Sequence, residues 1–120
     1  MTTTDTTATQ LEALTRAIEA RDADAIAARY AEGATVTLLD RDNPPSSPQV
    51  MSGREEIRTY FRDICGRNLD HEVRDAVVDE HGLAFTQHCR YPDGSRVVCS
   101  AVGVVEGGLI VRQTIVQTWD

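Results

Sequence analysis

The sequence is short of aromatic and basic residues, and both shortages limit what the protein can do. Six of its 120 residues are aromatic, and 12 basic against 19 acidic side chains give a net charge of −7. With no basic stripe to neutralise phosphates, nucleic acid is not an expected partner, and the same charge disfavours an anionic membrane surface. No apolar run approaches the roughly 20 residues of a membrane span, so we expect neither partner.

Cysteine is scarce as well, which bears on redox state and on metals. Cys65, Cys89 and Cys99 are too few and too scattered for a disulfide framework. No pair of histidines or cysteines has the spacing of metal ligands, and no glycine-rich phosphate loop occurs, so no metal or other cofactor is expected. The first ten residues contain six threonines and no basic segment followed by an apolar one. We expect a reduced, cytoplasmic protein with a disordered threonine-rich tail at residues 1–8 and a single domain at residues 9–120.

Hydrophobic periodicity predicts three helices in the first half of the chain. The first covers about residues 8–20, and a short second helix begins after Asp22, a good N-cap residue. The third begins at Ser52, which stands three residues before Glu55 in the spacing of a capping box. Between the second and third helices, residues 34–39 have the pattern of a strand, and the proline-rich residues 40–47 that of a surface loop.

The second half of the chain has the pattern of a β-meander. Candidate strands are residues 69–79, 83–91, 96–105 and 109–119, with turns at residues 80–82, at Asp93-Gly94 and at Gly107-Gly108. This order of elements predicts an α+β fold in which the helices pack on one face of a curved antiparallel sheet.

Two-residue hairpin loops at Asp93-Gly94 and Gly107-Gly108 predict which strand residues share a face, since directly opposed residues lie on the same side of a sheet. One face then carries Phe85, Gln87, Cys89, Val98, Ser100, Val102, Gln113, Ile115 and Gln117. The other carries Thr86, His88, Arg90, Val97, Cys99, Ala101, Arg112, Thr114 and Val116. Amides among apolar side chains favour a cavity on the first face, although they could equally satisfy one another or face solvent. The second face suits a subunit interface.

Several segments resemble the nuclear transport factor 2-like superfamily, which includes SnoaL-like polyketide cyclases and ketosteroid isomerase. They are residues 20–36, 52–57, 91–94, 106–112 and 119–120, and their order and spacing are more specific than any one of them. The resemblance implies a cone-shaped, cystatin-like roll with three helices on the concave face of the sheet. It also implies a mostly apolar pocket and a homodimer through the outer sheet face.

The same resemblance argues against one activity. It places Leu38 at the position of the catalytic aspartate of ketosteroid isomerase. It places Leu14 and Val102 at the positions of the tyrosine and the protonated aspartic acid that stabilise the oxyanion. Because leucine cannot accept a proton and valine cannot donate one, steroid isomerisation by that mechanism is not expected.

Two other residues are candidates for proton transfer. Asp40 lies two residues beyond Leu38, at the predicted pocket mouth, where apolar surroundings raise the pKa of a carboxyl group. It could instead be a solvated loop residue paired with Arg41. His71 could act as an acid or a base at neutral pH, or be an exposed residue at the start of a strand.

The predicted ligand-binding residues combine the inner sheet face with nearby aromatic side chains. They are Tyr30, Leu38, Phe85, Gln87, Cys89, Ser100, Val102, Gln113, Gln117 and Trp119. Such a pocket suits a small hydrophobic metabolite. The protein is then either an enzyme for proton-transfer chemistry (isomerisation, cyclisation or dehydration) or a non-catalytic protein. In the second case it binds a small ligand or serves as a dimeric scaffold.

Overall fold

A computed structural model describes residues 3–120, which form three helices and six strands. The elements are α1 (Thr3–Glu19), α2 (Ala23–Ala27), β1 (Tyr30–Leu39), β2 (Gln49–Ser52), α3 (Arg54–Cys65), β3 (Asp70–Val78), β4 (Gly82–Arg90), β5 (Arg96–Glu106) and β6 (Leu109–Trp119). The strands form one curved sheet in the order β2-β1-β6-β5-β4-β3. The predicted α+β class and roll are confirmed. The sheet is mixed rather than wholly antiparallel, because β1 pairs with β6 in parallel.

The helices pack on the inner face of the sheet through short apolar stripes. In α1 the stripe consists of Leu11, Leu14 and Ile18, which recur at helical spacing and are buried. In α3 it is centred on Ile57 and Phe61. Both stripes belong to one core cluster with the inward side chains of the sheet, so the helical layer forms the second wall of whatever space the sheet encloses.

The N-terminal elements differ from the prediction at their boundaries. Helix α1 begins at Thr3, so residues 3–8 of the predicted tail are helical, and Thr7 is buried. Residues 1 and 2 lie outside the described part of the chain. The predicted capping box is not formed, because Ser52 belongs to β2 and Gly53 is the N-cap of α3. The backbone N–H of Ser52 instead donates to the carboxylate of Glu56 at 3.3 Å.

The hairpin between β4 and β5 has a loop one residue longer than predicted. The N–H of Gly94 donates to the carbonyl oxygen of Tyr91 at 3.0 Å, and the N–H of Tyr91 donates to the carbonyl oxygen of Ser95 at 2.9 Å. Residues 92–94 therefore form a three-residue loop. Gln87 is opposed to Cys99 in the sheet, whereas a two-residue loop would oppose it to Ser100.

The hairpin between β5 and β6 has the predicted loop but an unpredicted bulge. Gly107 and Gly108 both have positive φ, as a type I′ turn requires, and Glu106 is opposed to Leu109. Further along, Val105 pairs with Ile110 while Val104 pairs with Arg112. One extra residue in β6 thus shifts the register of every later pair by one.

Together these two irregularities turn β5 over relative to the prediction and leave β4 and β6 facing as predicted. Val97, Cys99 and Ala101 point inward. Ser100 and Val102 point outward, and Val102 is 60% exposed. Their predicted position on the inner face was wrong, because side chains alternate between the two faces and a one-residue slip exchanges them.

A bulge also changes the pairing of β3 with β4. Val77 opposes Ala84, and the register shifts between Arg74 and Val77 around Asp75, whose φ is 55°. Asp75 lies outside, near the hydroxyl of Thr86. Before this shift His71 opposes Cys89, so it lies on the inner face of the sheet.

The close approach of Gly82 to β5 gives the first testable prediction. A Cβ atom at Gly82 would lie 2.4 Å from the backbone oxygen of Gly103, whereas one at Gly33 would have no neighbour within 4 Å. We expect Gly82→Ala to lower the free energy of unfolding by about 1–3 kcal/mol, since a β-strand must move aside. Gly33→Ala should leave it within about 1 kcal/mol of the wild-type value. Urea unfolding of both variants measures this, and equal stabilities would refute the close contact.

Candidate active-site cavity

A cavity of about 650 Å³ lies between the inner face of the sheet and the helical layer. Strands β1, β4, β5 and β6 form one wall. On the opposite wall are Ile18 of α1 and Tyr60, Phe61 and Ile64 of α3. The cavity opens among the ends of β4, β5 and β6 and the loop after β1, where exposed charged residues line it.

The inner part of the cavity is apolar. One row of opposed residues crosses the sheet from Phe85 through Ala101 and Ile115 to Leu38. None of the four is more than 7% exposed, and Phe61 faces them from α3. An apolar surface of this kind favours an apolar ligand body.

At the buried end, Tyr30 and Gln113 form a hydrogen-bonded pair. The hydroxyl of Tyr30 donates to Oε1 of Gln113 at 2.5 Å, and the two residues are 1% and 2% exposed. Burial raises the pKa of Tyr30 above its ordinary value, so the phenol stays protonated at neutral pH and remains a donor.

Nearer the opening, a polar row crosses three strands. Cys99 is opposed to Gln87 on one side and to Gln117 on the other. Nε2 of Gln117 donates to Sγ of Cys99 at 3.3 Å, and Nε2 of Gln87 lies 3.2 Å from Nδ1 of His71. The sequence left three possibilities for these amides: lining a cavity, pairing with one another, or facing solvent. In the structure they line the cavity.

His71 contacts this row from outside the cavity. Its Nδ1 is 3.1 Å from Sγ of Cys89, and its Nε2 is buried with no hydrogen-bond partner among residues 3–120. Burial, assisted by nearby Arg21, lowers the pKa of His71, and burial raises the pKa of Cys89 to about 11. Both groups are therefore neutral at pH 7, and only Cys89 of the two is exposed to the cavity.

Tyr60 lines the cavity, although it is not among the ligand-binding residues predicted from the sequence. Its ring packs edge-on against Phe61, with centroids 5.1 Å apart. Burial raises its pKa, and the charged forms of Cys99, Asp40 and Cys89 raise it further. Its hydroxyl has no hydrogen-bond partner in the described part of the chain. The one feature of the sequence that could have indicated this position is the hydroxyl group of Tyr60 within an otherwise apolar helical stripe.

Asp40 lies at the mouth, where its carboxylate organises the following loop. Oδ1 accepts hydrogen bonds from the backbone N–H groups of Asp42 and Asn43, at 2.8 and 2.9 Å, and from the amide of Asn43 at 3.0 Å. The alternative pairing with Arg41 is not formed. Arg41 stacks over the ring of Trp119 at 4.6 Å instead. Asp40 also lines the cavity.

The rest of the rim is charged, with more acidic than basic side chains. Arg67, which lies just beyond the C-cap of α3, donates to Asp63 of that helix at 2.6 Å and to the hydroxyl of Tyr91 at 3.1 Å, joining the helix end to the β4–β5 hairpin. Asp42, Asp93 and Asp120 complete the acidic side of the rim, and Arg96 is the other cation.

Most of the predicted ligand-binding residues meet at this cavity. Those on its wall are Tyr30, Leu38, Phe85, Gln87, Cys89, Gln113, Gln117 and Trp119. Ser100 and Val102 lie on the outer face, and Val97, Cys99 and Ala101 take their places. Because Val102 points outward, its neighbours Ala101 and Gly103 take the inward positions. Neither is acidic, so the protonated aspartic acid of ketosteroid isomerase has no counterpart at this point of β5.

Among residues 3–120, no three histidine, cysteine, aspartate or glutamate side chains come together in a way that could hold a metal ion. None of the helices in this range is long and apolar enough to cross a membrane.

Comparison with known proteins settles the family. The sequence model of the SnoaL-like domain matches residues 11–113. The chain belongs to the SnoaL-like domain family. This confirms the resemblance found in the sequence, while a search of curated proteins returns no match for this SnoaL-like domain.

Solved structures share the fold at low sequence identity. A candidate ketosteroid isomerase from Kribbella flavida is 20% identical with a TM-score of 0.81, over 98% of this chain and 82% of that one. An NTF2-like protein of unknown function from Mesorhizobium loti is 16% identical with a TM-score of 0.82, over 98% and 95%. A candidate polyketide cyclase from Xanthomonas campestris pv. campestris is 20% identical with a TM-score of 0.71, over 96% and 92%.

The lowered pKa of His71 gives a second prediction. Its ordinary pKa is 6.5; a lowered folded-state pKa means that the unfolded chain binds the proton first. The stabilising contribution is therefore present above about pH 6.5 and is lost as pH falls through the folded pKa. We expect the melting temperature of the wild type to fall more steeply than that of His71→Gln between about pH 7.5 and about pH 5.

The matched control for this prediction is His81→Gln. The side chain of His81 is 82% exposed, so this variant should keep the wild-type dependence of melting temperature on pH. Parallel curves for the wild type and His71→Gln would contradict the assigned environment of His71.

Proposed function

We propose that this SnoaL-like domain binds a small, mainly apolar molecule carrying one or two polar atoms. The observation that carries the proposal is the cavity of about 650 Å³ with its apolar inner row and few polar groups. Ligand pockets typically measure about 300–1,000 Å³ and combine a hydrophobic lining with a few placed polar groups.

Unsatisfied polar groups on the wall support a bound molecule over a dry core. Nε2 of Gln113 and the hydroxyl of Tyr60 have no hydrogen-bond partner among residues 3–120. Both groups line the cavity, where a ligand with suitable atoms can form hydrogen bonds with them, each contributing about 0.5–1.5 kcal/mol. This argues against the scaffold alternative, in which the interior would be collapsed and dry.

Binding is supported better than catalysis by the positions of the two predicted catalytic residues. His71 lies behind Gln87 and Cys89, and Oδ1 of Asp40 already accepts three hydrogen bonds within its own loop. A general base must reach the proton that it removes, directly or through one water. The catalytic roles of both residues stay predictions. The names of the Kribbella and Xanthomonas neighbours are compatible with an apolar, oxygen-bearing ligand.

Cavity filling tests the proposal. Ala101 lines the cavity and Ala84 lies on the outer face of the adjacent strand, so the same substitution can be made on both sides of the sheet. With Nile red, an uncharged dye, as the probe, we expect Ala101→Phe to weaken binding at least about tenfold by occupying the space. Ala84→Phe should bind the dye like the wild type.

Dye fluorescence, together with quenching of Trp119, the only tryptophan of the chain, measures both variants. Thermal unfolding should show that each one is folded. Equal dye affinity in the wild type and in Ala101→Phe would refute binding in the cavity.

We also infer that the outer sheet face binds a second copy of the chain. The central outward residues of β5 and β6 are uncharged, and two of the valines are 60% and 51% exposed. These central outward residues, which we call the outer patch, are Val98, Ser100, Val102, Thr114, Val116 and Thr118. In a two-fold dimer the same patch meets itself, and a patch without charge does so without like-charge repulsion.

A charge in the centre of this patch tests the dimer. We expect Val102→Glu to yield monomers, because a two-fold interface would bury the new carboxylate twice. Val77→Glu, at a 63% exposed valine on the outermost strand β3, should leave the mass unchanged. Light scattering during size-exclusion chromatography measures the mass, and a monomeric wild type would overturn the inference.

A further inference from the structure

We propose that the buried end of the cavity binds a hydrogen-bond acceptor of an uncharged ligand, with the side-chain amide of Gln113 as the donor. The inference rests on the proposed function and adds the chemical class of the ligand: an elongated molecule with a carbonyl oxygen, an ether oxygen or an aromatic nitrogen at its inner end.

The pairing with Tyr30 determines what Gln113 can offer. The phenol of Tyr30 donates to Oε1, which leaves Nε2 with two hydrogens. Gln113 is 2% exposed and lines the cavity, and its Nε2 has no other partner among residues 3–120. The unoccupied groups at this end are therefore donors, and their complement is an acceptor.

The surroundings of Gln113 exclude a charged group at the inner end. The neighbouring cavity residues are Phe85, Ala101 and Ile115, on the same inner face of β4, β5 and β6. Burying an ion without a counter-ion costs several kcal/mol, and among residues 3–120 no cationic side chain lines this part of the wall. An amide donor with apolar neighbours favours a neutral acceptor.

The rim gives a second, independent selection against anions. Asp40, Asp42, Asp63, Asp93 and Asp120 line it against two arginines, and Arg67 is already paired with Asp63. An acidic opening repels an approaching anion. The geometry of β6 also indicates the length of the ligand. Gln113 at the buried end and Gln117 nearer the opening are four residues apart on one face of the strand, which is about 13 Å.

Three naphthalenes of nearly the same shape test the inference. 2-Acetylnaphthalene has the acceptor, 2-ethylnaphthalene lacks it, and 2-naphthoate carries a negative charge. Without a donor in the cavity the ketone would bind more weakly than the hydrocarbon, because its oxygen loses water. We expect the wild type to bind the ketone at least about threefold more tightly than the hydrocarbon and at least about tenfold more tightly than the anion.

The variants remove the donor while keeping the cavity. Gln113→Leu alone would leave the buried hydroxyl of Tyr30 without a partner, so it is also made together with Tyr30→Phe. In both variants we expect the preference for the ketone over the hydrocarbon to disappear while the hydrocarbon still binds. Thr37→Leu changes an outward-facing residue of β1, the strand beside β6, and should keep the preference.

Calorimetric titration of the three compounds tests separately whether the cavity binds an apolar molecule and whether Gln113 binds its acceptor. Hydrocarbon binding without a preference for the ketone, or a preference that survives loss of Gln113, overturns the inference and leaves the proposed function standing. If none of the three compounds binds the wild type, the proposed function fails together with the inference.

Discussion

The register of strand β5 is the constraint on which the cavity depends. β5 lies between β4 and β6 near the middle of the sheet, and its side chains alternate between the two faces. A slip of one residue would exchange Cys99 and Ala101 for Ser100 and Val102. The three-residue loop on one side and the bulge in β6 on the other each contribute one residue to this register. Because both hairpins must agree on it, neither can slip alone without breaking the pairing on the other side.

With that register fixed, the inner face of the sheet divides into chemically different rows. The apolar row through Ala101 carries no hydrogen-bonding side chain, while the row through Cys99 has an amide on each side. The amides use thiols and an imidazole as partners, which are weaker partners than carboxylates or backbone groups. The cavity thus keeps polar groups on its wall without burying a charge. This suits recognition of a neutral molecule.

Much of the fold could be predicted from the sequence, because periodicity and turn residues are local signals. The strands of the meander and the glycine turn after β5 were predicted to within a residue or two. The bulge near Val111 and the extra loop residue before Ser95 could not be predicted, since the sequence there allows either register and only the packing of the whole sheet decides. Ser100 and Val102 were misplaced for that reason. Tyr60 was missed because a tyrosine in an apolar helical stripe packs in a core as readily as it lines a cavity.

The contacts of Arg67 have a consequence for exchange between the cavity and solvent. This side chain ties α3 to the β4–β5 hairpin at the rim, and it is 48% exposed. Its contact with the hairpin is a single hydrogen bond to the hydroxyl of Tyr91, and such a bond contributes only about 0.5–1.5 kcal/mol. Breaking it costs little compared with separating the apolar layers beneath, which favours exchange of molecules with solvent at this point of the rim.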